Sequence, residues 1–120
     1  MNQLNSLILE GNLTRDVEVK DFVAGFKVAQ FTIAANRTYK NSNGELVDEV
    51  SYFDIKAYGN MAEMFSDKLK KGRGVRIVGR LKQERWKDKN GKACSKVVVI
   101  AEHIEVKPLT ETKKGEGVCL

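Results

Sequence analysis

Three stretches of the chain alternate between apolar and more polar residues with the two-residue period of a β-strand. They span residues 25–39, 50–59 and 74–86. Two further stretches, 6–13 and 95–106, are apolar runs with the length of a strand. The pattern therefore predicts five strands along the chain.

The period changes between the third and the fourth predicted strand. Apolar residues recur there at helical spacing, which predicts a helix within residues 60–72: Met61, Met64, Phe65 and Leu69. Asn60 and Glu63 have the spacing of an N-terminal capping pair, and Gly72 is a typical helix stop.

Five strands with a helix between the third and the fourth is the element order of the OB-fold. This fold is a small, partly open barrel whose face and loops bind oligonucleotides. We therefore predict an all-β protein, a five-stranded OB-fold barrel with one helix between strands 3 and 4 and long β-hairpin loops. Residues 1–107 form this domain, and the aperiodic residues 108–120 form a short flexible C-terminal tail.

One face of each strand fills the interior of a small barrel. The alternation assigns these positions to the interior: Phe31, Ile33, Phe53, Ile55, Val75, Ile77 and Leu81. The opposite face of the third strand then presents Tyr52, Lys56 and Tyr58, together with the carboxylate of Asp54, which repels phosphate. The opposite face of the fourth strand is basic, and without a bulge it extends to the single tryptophan: Arg76, Arg80, Lys82 and Trp86.

The two predicted hairpin loops repeat one arrangement of residues. Each loop places an aromatic residue and a lysine four positions ahead of an Asn-Gly turn, as Tyr39-Lys40 and Trp86-Lys87. An arginine lies just before each ring, at Arg37 and Arg85. Such a ring can stack on an unpaired base while the neighbouring cations follow the phosphates. Each ring has an alternative role in packing: at a strand end for Tyr58, against a neighbouring subunit for Tyr52, and within the hairpin for Trp86.

Composition places the chain among soluble single-domain proteins. Its 120 residues are 42% hydrophobic and 31% charged. No apolar run approaches the roughly 18 residues of a membrane helix, and the N-terminus shows no secretory signal. We expect a cytoplasmic protein with no membrane partner.

The positive charge is concentrated in one region. The net charge is +5, but residues 68–92 hold eleven basic and two acidic residues, which leaves the remainder mildly acidic. This asymmetry favours a polyanionic partner, either a nucleic acid or an anionic membrane. The cations expected to contact phosphate are Lys56, Arg76, Arg80, Lys82, Arg85 and Lys87.

No catalytic or metal-binding arrangement is visible in the sequence. His103 is the only histidine, Cys94 and Cys119 lack metal-ligand spacing, and no phosphate-binding loop is present. We expect no enzyme activity, no metal and no cofactor.

Several blocks, in the right order, resemble the bacterial single-stranded DNA-binding proteins. Residues 7–19 are similar to the opening strand and turn of that family, 28–39 to its second strand, and 51–92 to its third strand, helix, fourth strand and long hairpin. The resemblance spans about residues 4–107. It implies a homotetramer that wraps single-stranded DNA without strong sequence preference, in the cytoplasm and nucleoid, during replication, recombination and repair.

The resemblance also assigns roles within the chain. It implies that the base-stacking aromatics are Tyr39, Tyr52, Tyr58 and Trp86. Tyr39 and Tyr52 stand where the family often has tryptophan, so stacking is expected to be weaker there. Family members end in an acidic tip that recruits partner enzymes, whereas residues 109–120 have no net side-chain charge. We therefore expect no recruitment through such a tip.

Two other functions are compatible with the same pattern. An RNA-binding or chaperone OB-fold uses the same stacking and phosphate contacts. An adaptor OB-fold that binds proteins predicts weak nucleic-acid binding and dispensable loop aromatics.

Overall fold

The computed structural model describes residues 2–21 and 25–108. Its elements are β1 (Leu7–Leu13), β2 (Glu18–Asp21), β3 (Lys27–Lys40), β4 (Leu46–Tyr58), α1 (Asn60–Met64), β5 (Gly74–Lys87) and β6 (Ala93–Val106). Apart from Pro108, the predicted tail lies outside the described residues. The expectation about the acidic tip falls there too.

The long strands close into a barrel. They form one sheet in the order β1-β5-β6-β4-β3-β2, and β1 also pairs with β3, which closes β1, β5, β6, β4 and β3 into a ring. The predicted five-stranded OB-fold barrel is therefore confirmed, with the helix between β4 and β5. The additional strand β2 pairs with β3. Its four residues are all exposed, so no apolar alternation in the sequence indicates this strand.

Barrel closure depends on a close approach between β1 and β3. Asn12 pairs with Gly74 of β5 on one side and with Ala34 of β3 on the other. A Cβ atom on Gly11 would lie 2.6 Å from the backbone oxygen of Ala34. Only glycine fits there without moving one strand away from the other.

The alternating apolar residues fill the barrel as predicted, with one exception. Phe31, Ile33, Ile55, Val75 and Ile77 are buried, and Phe53 is partly buried and packs against them. Leu81, predicted to lie in the core, is 47% exposed. The pairing of β1 with β5 ends at Gly79, so β5 continues beyond the barrel and no layer covers this side chain.

The helix is shorter than predicted, and its predicted capping pair is wrong. Gly59 is the N-cap residue, no side chain caps it, and α1 ends at Met64, well before Gly72. The hydroxyl and the backbone amide of Ser66 both donate hydrogen bonds to the carbonyl of Glu63. These hydrogen bonds replace the next one of the helix. As a result Leu69 is buried through a turn segment, while Met64 is 63% exposed.

We predict that Gly79→Ala destabilises the barrel by about 1–3 kcal/mol, the cost typical of overpacking. A Cβ at this position would lie 2.1 Å from the backbone oxygen of Ile100, which cannot move without disturbing β6. Denaturant unfolding measures the effect. Gly74→Ala is the matched control on the same strand, because its Cβ would meet only the flexible side chain of Lys107 at 3.2 Å. Equal unfolding midpoints for the two variants would contradict the prediction.

Candidate nucleic-acid interface

Two hairpin arms end in loops that are built alike. The β3–β4 arm turns at Asn41–Glu45 and the β5–β6 arm at Asp88–Lys92. In each loop the backbone N–H and C=O of the first residue form hydrogen bonds with later loop residues. Its side-chain oxygen also accepts hydrogen bonds from two backbone amides. The glycines at the fourth position, Gly44 and Gly91, have φ values of 79° and 77°. The resemblance between the loops is therefore structural, and it begins at an Asn or Asp side chain that the sequence analysis did not single out.

The β5–β6 arm presents the single tryptophan. β5 runs without interruption to Lys87, and the register shift opposite Gly79 comes from an extra residue of β6, Glu102. Trp86 therefore shares the outer face with Arg80 and Lys82, as the alternation predicted. Its ring is 47% exposed. It borders an open depression of about 570 Å³, lined by Gln83, Arg85, Trp86, Lys87, Ala93, Cys94 and Ser95.

The β3–β4 arm presents its tyrosines on two different faces. Tyr39 pairs with Val47 and Tyr52 pairs with Ala34, so the alternation of the strands places the two rings on opposite faces of the arm. The guanidinium of Arg37 lies over the Tyr39 ring, 5.0 Å from its centroid, and also 3.7 Å from a carboxylate oxygen of Glu49. The Tyr39 ring is thereby covered on one side by a cation. Tyr52 is 64% exposed.

Tyr58 forms a ring pair at the end of β4. Its ring stacks on that of Phe26, with centroids 6.1 Å apart and planes 18° from parallel. This contact agrees with the alternative that Tyr58 packs at a strand end. Phe26 was missed by the sequence analysis, because only the pairing of Val28 with Tyr58 shows that the two rings are neighbours.

The centre of the outer face is occupied by two ion pairs. Lys56 Nζ lies 2.6 Å from Glu84 Oε2, and Lys96 Nζ lies 3.3 Å from Asp54 Oδ2. The hydroxyl of Thr32 also donates to Asp54, at 2.8 Å. This hydrogen bond is the largest single cause that lowers the pKa of Asp54 below its ordinary value, and the hydrogen bond and charge of Lys96 lower it as well. The carboxylate that was expected to repel phosphate is thus partly neutralised, by a lysine that the sequence analysis did not identify.

Two predicted phosphate contacts on β5 already have acidic partners. Arg76 Nη2 lies 2.7 Å from Glu10 and Nη1 lies 3.5 Å from Glu105. The hydrogen bond to Glu10 raises the pKa of Arg76, and the same contact lowers the pKa of Glu10. Arg80 Nε lies 4.0 Å from Glu102. Arg76 therefore belongs to a cluster beside β1 and away from the arms.

The remaining predicted cations belong to the β5–β6 arm. Lys82, Arg85 and Lys87 form no ion pair within residues 2–21 and 25–108. All three are exposed, and Arg85 donates a hydrogen bond to Gln83 at 3.1 Å. These three cations are close to Trp86 in the sequence of β5, and no carboxylate of the described residues forms an ion pair with them.

Neither a metal site nor a membrane helix is found in the described part of the chain. No three His, Cys, Asp or Glu side chains there converge to hold an ion. None of the helices there combines the length and the apolar character needed to cross a bilayer.

A closed OB-fold barrel with exposed rings and uncompensated cations on projecting arms defines the class of oligonucleotide-binding OB-fold proteins. Comparison with known families narrows this class. Residues 4–107 match the model of the single-strand binding protein family, and the chain belongs to that family. Its members are non-enzymatic binding proteins.

Individual relatives agree with this assignment. The single-stranded DNA-binding protein of Aquifex aeolicus is 46% identical over 103 residues, which are 86% of this chain and 69% of the relative. The protein of the same description from Wolinella succinogenes is 42% identical, over 85% of this chain and 63% of the relative. The chain thus spans about two thirds of the length of these curated relatives.

Solved structures show the same fold. The wild-type single-stranded DNA-binding protein of Thermus aquaticus superposes with a TM-score of 0.76 and 29% identity, over 88% of this chain and 50% of that one. The Plasmodium falciparum SSB, solved in complex with single-stranded DNA, has a TM-score of 0.83. It covers 90% of this chain and 98% of that one at 24% identity, so this likeness concerns the fold alone.

We predict that Thr32→Val raises the pKa of Asp54 toward its ordinary value of 3.8, because the variant removes the largest cause of the lowered pKa. A carboxylate with a lowered folded-state pKa stabilises the fold above its unfolded pKa and loses this effect as the pH falls through the folded value. The variant should therefore lose less stability on acidification below about pH 4. Carboxyl NMR titration measures the pKa. Lys96→Met is a second variant that should also raise the pKa of Asp54, because it removes the ammonium beside the carboxylate. An unchanged pKa in Thr32→Val would contradict the assignment.

Proposed function

We propose that this protein binds single-stranded DNA without strong sequence preference, by stacking bases on aromatic rings and by contacting phosphates with lysine and arginine. The observation that carries the proposal is the position of Trp86, a half-exposed ring on an arm where Lys82, Arg85 and Lys87 form no ion pair within the described residues. A soluble protein normally buries its tryptophan. Family membership and the names of the relatives support the same function.

The arrangement favours single strands over duplexes. A base can stack on a protein ring only when its own face is free, and a duplex hides that face against its neighbours. Stacking is also indifferent to base identity, because every base has a π-face. The proposed site consists of rings and cations. Stacking and phosphate contacts account for these residues without any contact that reads the edges of the bases.

The exposure and the contacts of each side chain support the proposed roles. Trp86 is the principal stacking ring, and Tyr52, Tyr39 and Tyr58 are further stacking positions, with Tyr39 and Tyr58 each already covered on one face. Phosphates are contacted first by the exposed cations of the β5–β6 arm, Lys82, Arg85 and Lys87. Arg37 and Arg80 contribute after loosening their weak pairs with carboxylates, whereas Arg76 has a structural role beside β1.

Assembly and cellular role extend the proposal. The chain forms a homotetramer that protects single-stranded DNA in the cytoplasm and nucleoid during replication, recombination and repair. Two features of β1 support association between copies. Its residues Leu7–Gly11 pair with β5 on one edge only, and the side chain of Ile8 is 68% exposed.

A competition experiment tests the function. Single-stranded DNA, single-stranded RNA and duplex DNA of equal length are titrated at one fixed salt concentration, since affinities at different salt cannot be compared. We expect single-stranded DNA to bind more tightly than duplex DNA. Equal or tighter binding of RNA would identify an RNA-binding protein, and negligible binding of all three would favour an adaptor that binds proteins.

Trp86→Ala should weaken binding of single-stranded DNA by about 1–3 kcal/mol per subunit contact, the range found for base stacking in such folds. Because the ring lies outside the barrel, the unfolding midpoint should change little. Binding of oligo-dT should also quench the fluorescence of this single tryptophan. Trp86→Phe is the control and should retain part of the affinity. Unchanged fluorescence at saturating DNA would show that the ring does not meet the bases.

The salt dependence should separate the arm cations from the structural ones. Lys82→Ala should make the slope of log affinity against log salt less steep by about 0.7, the value for one phosphate contact on a single strand. Arg76→Ala removes an equal charge from the same strand and should leave the slope unchanged, because Glu10 and Glu105 already neutralise that guanidinium. A parent slope near zero, or an equal change in both variants, would refute this assignment of the surface.

A further inference from the structure

One ion pair on the outer face differs from all the others that the structure describes. The side chains of Lys56 and Glu84 are only 18% and 22% exposed, and their charged atoms lie 2.6 Å apart. Every other ion pair in residues 2–21 and 25–108 joins side chains that are at least 44% exposed. Exposed pairs exchange partners at little cost, whereas a pair withdrawn from water leaves each charge poorly solvated if the other departs.

The pair spans the middle of the proposed DNA-binding face. Lys56 lies on β4 and Glu84 on β5, and β6 runs between these two strands. The register places Ile100 between Lys56 and Arg80, and Val98 beside Lys82. Although both apolar residues belong to the outer face, they are only 4% and 1% exposed. The long charged side chains on either side therefore cover β6, and the lysine ammonium is held over the strand and not directed outward.

A phosphate that approached Lys56 would meet opposition from Glu84. It would have to displace a carboxylate that already contacts the ammonium, and that carboxylate would then face the phosphate with its charge uncompensated. The neighbouring cation, Lys96, is held by Asp54 in the same way. Two lysines and two carboxylates thus make the centre of this face electrically neutral, while Lys82, Arg85 and Lys87 form no ion pair within the described residues.

We propose that Glu84 is an affinity-determining residue that withholds Lys56 from phosphate. DNA then crosses the centre of the face without an ionic contact and is held by the arms on either side. This inference rests on the proposed function, and it replaces the sequence-based expectation that Lys56 is a phosphate contact.

A set of three variants tests the inference on single-stranded DNA across a salt series. Glu84→Gln releases Lys56, so affinity should rise about fivefold at 0.1 M salt and the salt slope should steepen by about 0.7. Lys56→Met leaves Glu84 unpaired and should weaken binding. The decisive variant combines both changes. If Glu84 withholds Lys56, the double variant has the affinity and slope of the parent. If Lys56 contacts phosphate in the parent, the double variant binds more weakly and its slope is less steep by about 0.7, which would overturn the inference.

Two controls separate this effect from general changes in charge and stability. Glu102→Gln removes an equal charge from an exposed carboxylate of the same face. Any gain in DNA affinity that it produces should persist when Lys56→Met is added. The exchange of Lys56→Glu with Glu84→Lys keeps an ion pair in place and should bind like the parent, even if the neutral double variant unfolds. A parent that binds no single-stranded DNA refutes the proposed function itself. If the parent binds but the exchanged or the neutral variant loses a phosphate contact, only the proposed role of Glu84 is refuted.

Discussion

The closure of the barrel by β1 is the constraint on which the rest of the structure depends. This strand pairs with β5 and with β3, and the second pairing brings backbone so close to Gly11 that no side chain fits there. Closure fixes the register of every strand, and the register decides which residues face inward. A slip by one residue would exchange the two faces of a strand and place its charges in the core. Because apolar side chains fill the interior, the polar chemistry is left to the outer face and to the parts of the strands that extend beyond the barrel.

Those extensions explain why large rings remain exposed. Beyond Gly79, β5 pairs with β6 alone, and the far half of β4 pairs with β3 alone, so toward the tip of each arm no second layer covers the side chains. A ribbon of two strands is marginally stable by itself. In both arms an Asn or Asp side chain closes the loop through two backbone amides, which holds the register up to the tip. The exposure of Trp86 follows from this topology, and its rigid presentation follows from the loop.

The sequence was sufficient for features that depend on periodicity. The two-residue alternation identified three of the barrel strands, and two apolar runs identified the others. The alternation also predicted the inward residues from Phe31 to Ile77 and the outer parity of Trp86. It failed where the burial of a residue depends on how far a neighbouring strand extends, as at Leu81, or where a local hydroxyl ends a helix early, as at Ser66. It also could not show which charges meet. Lys56 and Glu84 are 28 positions apart in the chain, and Arg76 and Glu10 are 66 apart, so only the strand order brings them together. The roles of the predicted site residues stay predictions for the same reason, since they depend on a ligand path that periodicity does not encode.

These long-range ion pairs change how the charge pattern of the sequence is interpreted. Residues 68–92 have a large positive sum along the chain, yet part of that charge is neutralised by carboxylates that come from β1 and β6. The cations of this segment that form no ion pair in the described residues lie in two places, the turn before β5 (Lys68, Lys70, Lys71 and Arg73) and the β5–β6 arm around Trp86 (Lys82, Arg85, Lys87, Lys89 and Lys92). An approaching polyanion is attracted by the field of the folded protein and not by the sum over a segment. The first encounter is therefore expected at this arm, where the exposed ring stands beside the cations. Stacking can then hold a strand that electrostatic attraction has brought there, and this division of tasks does not require a cation at the centre of the face.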